Sequence, residues 1–196
     1  PTVTPDASSI EQQASEIPAR PQLLEWLVDL DQRTFELMSG ASSPALDAAM
    51  AMITNASRHA RLPVLTAGAL SILGGARGRR CAGEALVAVG VTTSAAGAVV
   101  EGASQRRPAG SAPGPMLPSG RTASATAFAT VVGHHVPMLR IPVEVFAASV
   151  GVSRVYNGVH HPRNVVLGWL FGRATGIVVI RIGGAVETRR ERPRTT

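Results

Sequence analysis

Three fragments of the chain carry residue types that together could hold and attack a phosphate group. The richest is Ser153-Arg154-Val155-Tyr156-Asn157-Gly158-Val159-His160-His161-Pro162-Arg163-Asn164, in which an arginine stands six residues before a histidine. A guanidinium offers a planar fork of donors suited to phosphate oxygens, and a neutral imidazole nitrogen can attack phosphorus or move a proton. Upstream lie Arg106-Arg107-Pro108, and Pro118-Ser119-Gly120-Arg121 followed by the small-residue segment TASATAFATVV. Gly120 would let backbone approach a ligand closely, and a helix starting there would turn its free N–H groups toward an anion.

In order and spacing these fragments resemble the three motifs of the type 2 phosphatidic acid phosphatase (PAP2) superfamily, which read K-x6-R-P, P-S-G-H and S-R-x5-H-x3-D. Arg107-Pro108 matches the end of the first motif, Pro118-Ser119-Gly120 most of the second, and Ser153, Arg154 and His160 the third. The resemblance covers roughly residues 60 to 182. It implies an all-α, PAP2-like helical bundle associated with a membrane, acting on a lipid phosphate or diphosphate. His160 would be the nucleophile and pass through a phosphohistidine. Arg107, Arg154 and the backbone of Ser119 and Gly120 would hold the non-bridging oxygens. Arg107, Ser119, Arg121, Arg154 and His160 are therefore expected to surround one phosphate.

Three positions depart from the motifs. The first-motif lysine falls on Val100, in a chain without lysine, the second-motif histidine is Arg121, and the third-motif aspartate is Asn164. The side-chain oxygen of Asn164 is expected to accept the imidazole N–H of His160, stabilising an imidazolium less well than a carboxylate would. Arginine cannot serve as a general acid. A site with Arg121 would favour a diphosphate, whose departing phosphate has a second pKa of roughly 6, over a monoester that must expel an alkoxide. Prenyl diphosphates fit this requirement. A binding-only protein, for phospholipid or a partner, is the alternative, as is an enzyme that uses diphosphate departure for prenyl transfer or cyclisation.

The chemistry requires no metal and no cofactor, and the HHPRN run lacks the carboxylates or spaced histidines of a zinc or dimetal site. The net charge of +6 comes from 19 arginines, which are scattered or at helix ends and not interleaved with stacking aromatics, so nucleic acid is not the expected partner. Anionic lipid headgroups are. The lone Cys81 excludes an internal disulfide and reads as a small packing residue.

These residues need elements to position them. Residues 1–20 lack apolar periodicity and read as a flexible tail, with a PAP2-like domain over 21–184 and a basic tail over 185–196. From Gln22 to Met38, Leu23, Leu24, Leu27, Leu30 and Leu37 recur at helical spacing, predicting an amphipathic helix packed on the domain or lying in a membrane interface. A short helix is expected over Ala45–Ser57. Apolar runs follow at Leu62–Ala76, Ala82–Val100, Thr122–Leu139, Val143–Val152 and Val165–Ile182. The fourth is too short to span a bilayer unless it extends past Pro142 or into the third motif. Small residues dominate the runs, as where helix backbones approach closely. With Arg77-Gly78-Arg79-Arg80 as a cytoplasmic loop of a bacterial cell membrane, the motif loops fall together on the extracytoplasmic face, and Arg189, Arg190, Arg192 and Arg194 fall inside.

Overall fold

The computed structural model describes residues 22–41, 43–57, 61–105 and 117–191, and all regular structure among them is helical. In chain order the helices are α1 (Gln22–Gly40), α2 (Pro44–Ser57), α3 (Arg61–Leu73), α4 (Gly75–Gln105), α5 (Gly120–His135), α6 (Arg140–Tyr156) and α7 (Pro162–Glu191), with a single 3-10 turn at Pro137–Leu139 before α6. Residues 1–21, 106–116 and 192–196 lie outside the described residues, and with them Arg106, Arg107 and the two tail ends.

Helix α5 is the axis of the bundle. Its sequence is mostly alanine, threonine and valine, and ten of its sixteen residues are buried, the pattern of a helix enclosed on most sides. Phe128, Val131 and Val132 are fully buried there and pack with Cys81, Ala85, Ala88 and Val89 of α4 and with Val143, Ala147 and Val150 of α6. Because most of these side chains are small, the core is dense through close backbone approach more than through large apolar volume.

The α5–α7 crossing shows how close that approach is. Gly168, Gly172 and Gly176 recur every four residues on α7 and form one face of it. A Cβ added at Gly168 would lie 2.6 Å from the carbonyl oxygen of Ser119, and one at Gly172 would lie 2.1 Å from that of Ala123. At Gly176 it would meet Thr130 Cβ at 2.8 Å. Hydrogen alone fits at these positions, as in small-xxx-small helix pairs of membrane proteins.

The basic segment Arg77–Arg80 is not a loop. The chain turns at Gly74-Gly75, where Gly75 adopts a positive φ of 58° that glycine reaches without strain, and α4 begins at once, so the arginines lie in its opening turns. Helix α6 starts at Arg140, places Pro142 within its first turn, where proline is tolerated, and continues through Arg154 to Tyr156. Arg154 is therefore a helical residue. At the C-terminus helix continues through 185–191, where a tail was expected from residue 185 onward.

Two helical stretches, Gly75–Val99 and Pro162–Arg189, are long and apolar enough to cross a membrane. Much of their apolar surface faces outward. Val87 and Val91 of α4 and Val166, Leu170, Val178 and Ile182 of α7 are each half exposed or more, a distribution that water disfavours at about 25 cal/mol per Å². At one end of the bundle Arg80 pairs with Glu84 and Glu187, and Glu84 Oε2 also meets His135 Nε2 at 2.8 Å. The second- and third-motif residues lie at the opposite end.

Candidate active site

That opposite end is built where α5 begins, α6 finishes and α7 begins. Helix α6 ends in a turn that Gly158 makes possible with φ 66°. The carbonyl of Arg154 then accepts the backbone N–H groups of both Val159 and His160, each at 3.1 Å. The six-residue spacing thus has a geometric meaning, because the chain folds back on the arginine and delivers the histidine next to it.

Arg154 is 9% exposed. Its Nε is buried without a hydrogen-bond partner among the described residues, and no carboxylate there pairs with it. A buried guanidinium is stable only with an anion or good acceptors against it. Arg121, in the first turn of α5, adds a second positive charge. Both arginines bear on His160, whose imidazole is held below its ordinary pKa of 6.5 first by burial, then by Arg154 and Arg121. At neutral pH His160 is consequently neutral, the form that can act as a nucleophile.

Ser119 and Gly120 stand at the N-terminus of α5, and no side chain caps the helix. The backbone N–H of Ser119 donates to the carbonyl of Asn164 at 2.9 Å, and its Oγ accepts a hydrogen bond from Thr122 Oγ1 at 3.0 Å. Ser119 thereby joins α5 to α7, and its N–H is not available to a phosphate as the motif resemblance implied. The close approach at Gly120 is to protein: a Cβ there would lie 3.2 Å from Ala96 Cβ of α4.

Asn164 also differs from expectation. Its side-chain Oδ1 is buried and makes no hydrogen bond, so it does not accept from His160. The reason is that residue 164 lies in the first turn of α7, anchored through its backbone to Ser119 and, by its own N–H, to His161 at 3.0 Å. The structure thus brings Arg121, Arg154 and His160 together with Ser119 and Gly120 beside them, leaves the Asn164 side chain unengaged, and does not describe Arg107.

Several residues that hold this loop carry no motif signal. Asp31 of α1 is buried and accepts from the backbone N–H of Arg163 at 2.7 Å, on the first turn of α7. A carboxylate there satisfies an otherwise open helix N–H and opposes the positive end of the helix dipole. Asp31 Oδ2 also lies 3.4 Å from His161 Nδ1 and from Arg163 Nη1, and the Phe35 ring stacks on His161 with centroids 4.4 Å apart. From α2, Asp47 accepts from the hydroxyl of Tyr156, and Thr54 Oγ1 accepts from Asn157 Nδ2 at 3.0 Å. The two N-terminal helices therefore brace the third motif from outside. In sequence, Asp31 looks like any polar residue of an amphipathic helix. No group of three or more potential metal ligands occurs among the described residues.

The family model of the PAP2 superfamily matches residues 48–187, and the chain belongs to that superfamily. Its all-α bundle is similar to two solved structures. The crystal structure of LpxE from Aquifex aeolicus superposes with a TM-score of 0.59 at 26% identity, covering 78% of this chain and 95% of that one. The transmembrane PAP2-type phosphatidylglycerolphosphate phosphatase from Bacillus subtilis gives a TM-score of 0.60 at 20% identity, covering 87% and 89%. Comparison with curated proteins gives no match.

Proposed function

We propose that this protein is a membrane phosphatase that removes phosphate from a lipid phosphate or diphosphate. The observation that carries the reading is the buried Arg154, without a carboxylate among the described residues, at the same end of the bundle as Arg121 and a neutral His160. The superfamily, and a transmembrane phosphatase among the similar structures, support a lipid substrate. Outward-facing apolar side chains on the long helices support a bilayer location.

In this reading Arg154 and Arg121 neutralise the phosphate as His160 nitrogen attacks phosphorus. The bond between phosphorus and the departing oxygen breaks, and the leaving group takes the electron pair. Water then attacks the phosphohistidine, the phosphorus–nitrogen bond breaks, and inorganic phosphate leaves. Arg107, from the first motif, would add a third donor. Since Arg121 supplies no proton, the reading favours a diphosphate such as a prenyl diphosphate, with a bacterial cell membrane as setting and the site on its extracytoplasmic face. Phosphate release by purified protein from prenyl diphosphates, prenyl monophosphates and phosphatidic acid tests it, with His160→Ala as the inactive control.

A second reading, phospholipid binding without turnover, has one observation in its favour: the Asn164 side chain does not engage His160. Saturable binding of the same lipids with no phosphate release would select it. Organic product analysis in that assay separates hydrolysis from prenyl transfer or cyclisation.

A further inference from the structure

His160 stands between two anchors. On its N-terminal side the carbonyl of Arg154 accepts the N–H groups of Val159 and His160, each at 3.1 Å. On its C-terminal side come Pro162, whose ring fixes φ, and Arg163, whose N–H donates to Asp31 Oδ1 of α1 at 2.7 Å. The next two N–H groups of that turn, of Asn164 and Val165, donate to the His161 carbonyl, so the Arg163 N–H is met by a side chain from another helix instead of by main chain. We propose that Asp31 is the positioning residue of His160: its carboxylate, supplied from α1, fixes the C-terminal anchor of the loop and with it the aim of the imidazole. This rests on the phosphatase reading for the role of His160.

Three observations favour a positioning role over the mere docking of α1. First, Asp31 is the one buried acidic residue among the described residues, and its polar contacts are all to residues 161–163. Oδ2 lies 3.4 Å from both His161 Nδ1 and Arg163 Nη1, so a carboxylate out of water is met by donors on both residues. Neighbouring charges of α1 turn to their own helix, Asp29 to Arg33 at 2.8 Å and Glu36 to Gln32 at 2.7 Å. Second, Phe35 stands one turn beyond Asp31 on the same face and touches the loop on both sides of His160. Its ring stacks on His161 at 4.4 Å, and a Cβ at Gly158 would lie 3.9 Å from its Cζ. Third, residues 153–164 contain no acidic side chain, and Asn164 Oδ1 bonds nothing. The carboxylate that serves this loop therefore comes from α1, which precedes the matched family segment of residues 48–187.

Charge and hydrogen bond can be separated. Asparagine at position 31 has the same shape and keeps an oxygen for the Arg163 N–H, but it lacks the charge that faces His161 and Arg163. Alanine removes both. Asp31 does not hold the phosphate, which Arg154 and Arg121 do, so its loss should appear in kcat and leave KM in place. Misplacing a reacting group by about 1 Å can cost about a hundredfold in rate, which sets the scale of the effect.

The experiment has two arms on the full chain in detergent micelles, with Asp31→Asn, Asp31→Ala and, as control, Asp29→Asn, each held below its own Tm. In the first arm kcat and KM are measured on a prenyl diphosphate. Asp31→Asn should lower kcat by about tenfold or more and Asp31→Ala by more still, both with KM nearly unchanged, while Asp29→Asn keeps both constants. Unchanged kcat in Asp31→Asn and Asp31→Ala, or a loss confined to KM, would overturn the positioning role. In the second arm histidine labelled at its ring nitrogens is followed by NMR, the His160 signals being identified by their absence in His160→Ala. They should be sharp in the unmodified protein and in Asp29→Asn, and broadened or shifted in Asp31→Asn and Asp31→Ala. Unperturbed His160 signals in both Asp31 variants would overturn the positioning role whatever the kinetics. Where the unmodified protein turns over nothing, it is hydrolysis that fails, and the ring signals alone decide whether Asp31 positions His160.

Discussion

The backbone N–H of Ser119 donates to the backbone carbonyl of Asn164 at 2.9 Å, across the crossing of α5 and α7. This bond ties the second motif to the third through main chain alone, and the crossing is close enough to permit it because Gly168 and Gly172 have no side chains. Any Cβ at either position would collide with a backbone carbonyl oxygen, at 2.6 Å and 2.1 Å, and backbone cannot rotate aside.

Gly172→Ala should therefore cost about 1–3 kcal/mol, the usual range for overpacking a filled interior. Thermal unfolding of the purified protein should show a lower Tm, whereas Gly97→Ala on α4, where nothing lies within 4 Å, should not lower it. Equal Tm values for both variants would mean that the helices separate at the crossing without cost.

Asn164→Asp should not raise phosphatase activity. The family pattern suggests that a carboxylate at this position would orient and stabilise His160, but here the Oδ1 of residue 164 faces no partner and the residue is held by its backbone. Initial rates within a few-fold of the unmodified protein, or lower, are expected. A tenfold gain would show that the side chain reaches His160 once substrate is bound.

The amphipathic N-terminal helix and the helical runs were legible from apolar spacing, because helical periodicity survives without knowledge of partners, and the all-α PAP2-like fold was legible from the motif resemblance. So was the Arg154–His160 juxtaposition, which follows from motif spacing. What was not legible was the bracing of the third motif by Asp31, Phe35, Asp47 and Thr54. These contacts span more than a hundred residues of sequence and use side chains that elsewhere would simply face solvent. The roles of Ser119 and Asn164 were misread for a related reason: motif letters name side chains, whereas both residues act here through their backbones. Arg77–Arg80 looked like a loop because charge suggested a boundary, while the actual break lies at Gly74-Gly75, where glycine can take the positive φ.

The pH dependence follows from the environment of His160. Burial and two arginines hold its pKa below 6.5, and the nucleophile must be neutral, so kcat/KM should be flat near neutrality and fall only as pH drops through that lowered value. Arg121→Ala removes one of the two charges and should move the acid limb upward toward 6.5, by less than the full shift because burial is the larger cause. An acid limb above pH 6.5 in the unmodified protein would contradict the arrangement.

Leaving-group chemistry gives a further expectation. A prenyl diphosphate should be cleaved at least tenfold faster than the matching monophosphate, a difference of about 1.4 kcal/mol or more in barrier, because Arg121 cannot protonate an alkoxide. Arg121→His should narrow the gap by raising the monophosphate rate. Equal rates on both substrates in the unmodified protein would remove this role of Arg121.

The central claim is that a phosphate passes through His160, and covalent trapping tests it most directly. Protein mixed with a lipid diphosphate radiolabelled in its terminal phosphate, quenched in alkali where phosphohistidine survives, should carry label on the peptide containing His160. His160→Ala should carry none and release no phosphate. Undiminished phosphate release by His160→Ala, or label on a different residue, would contradict the account.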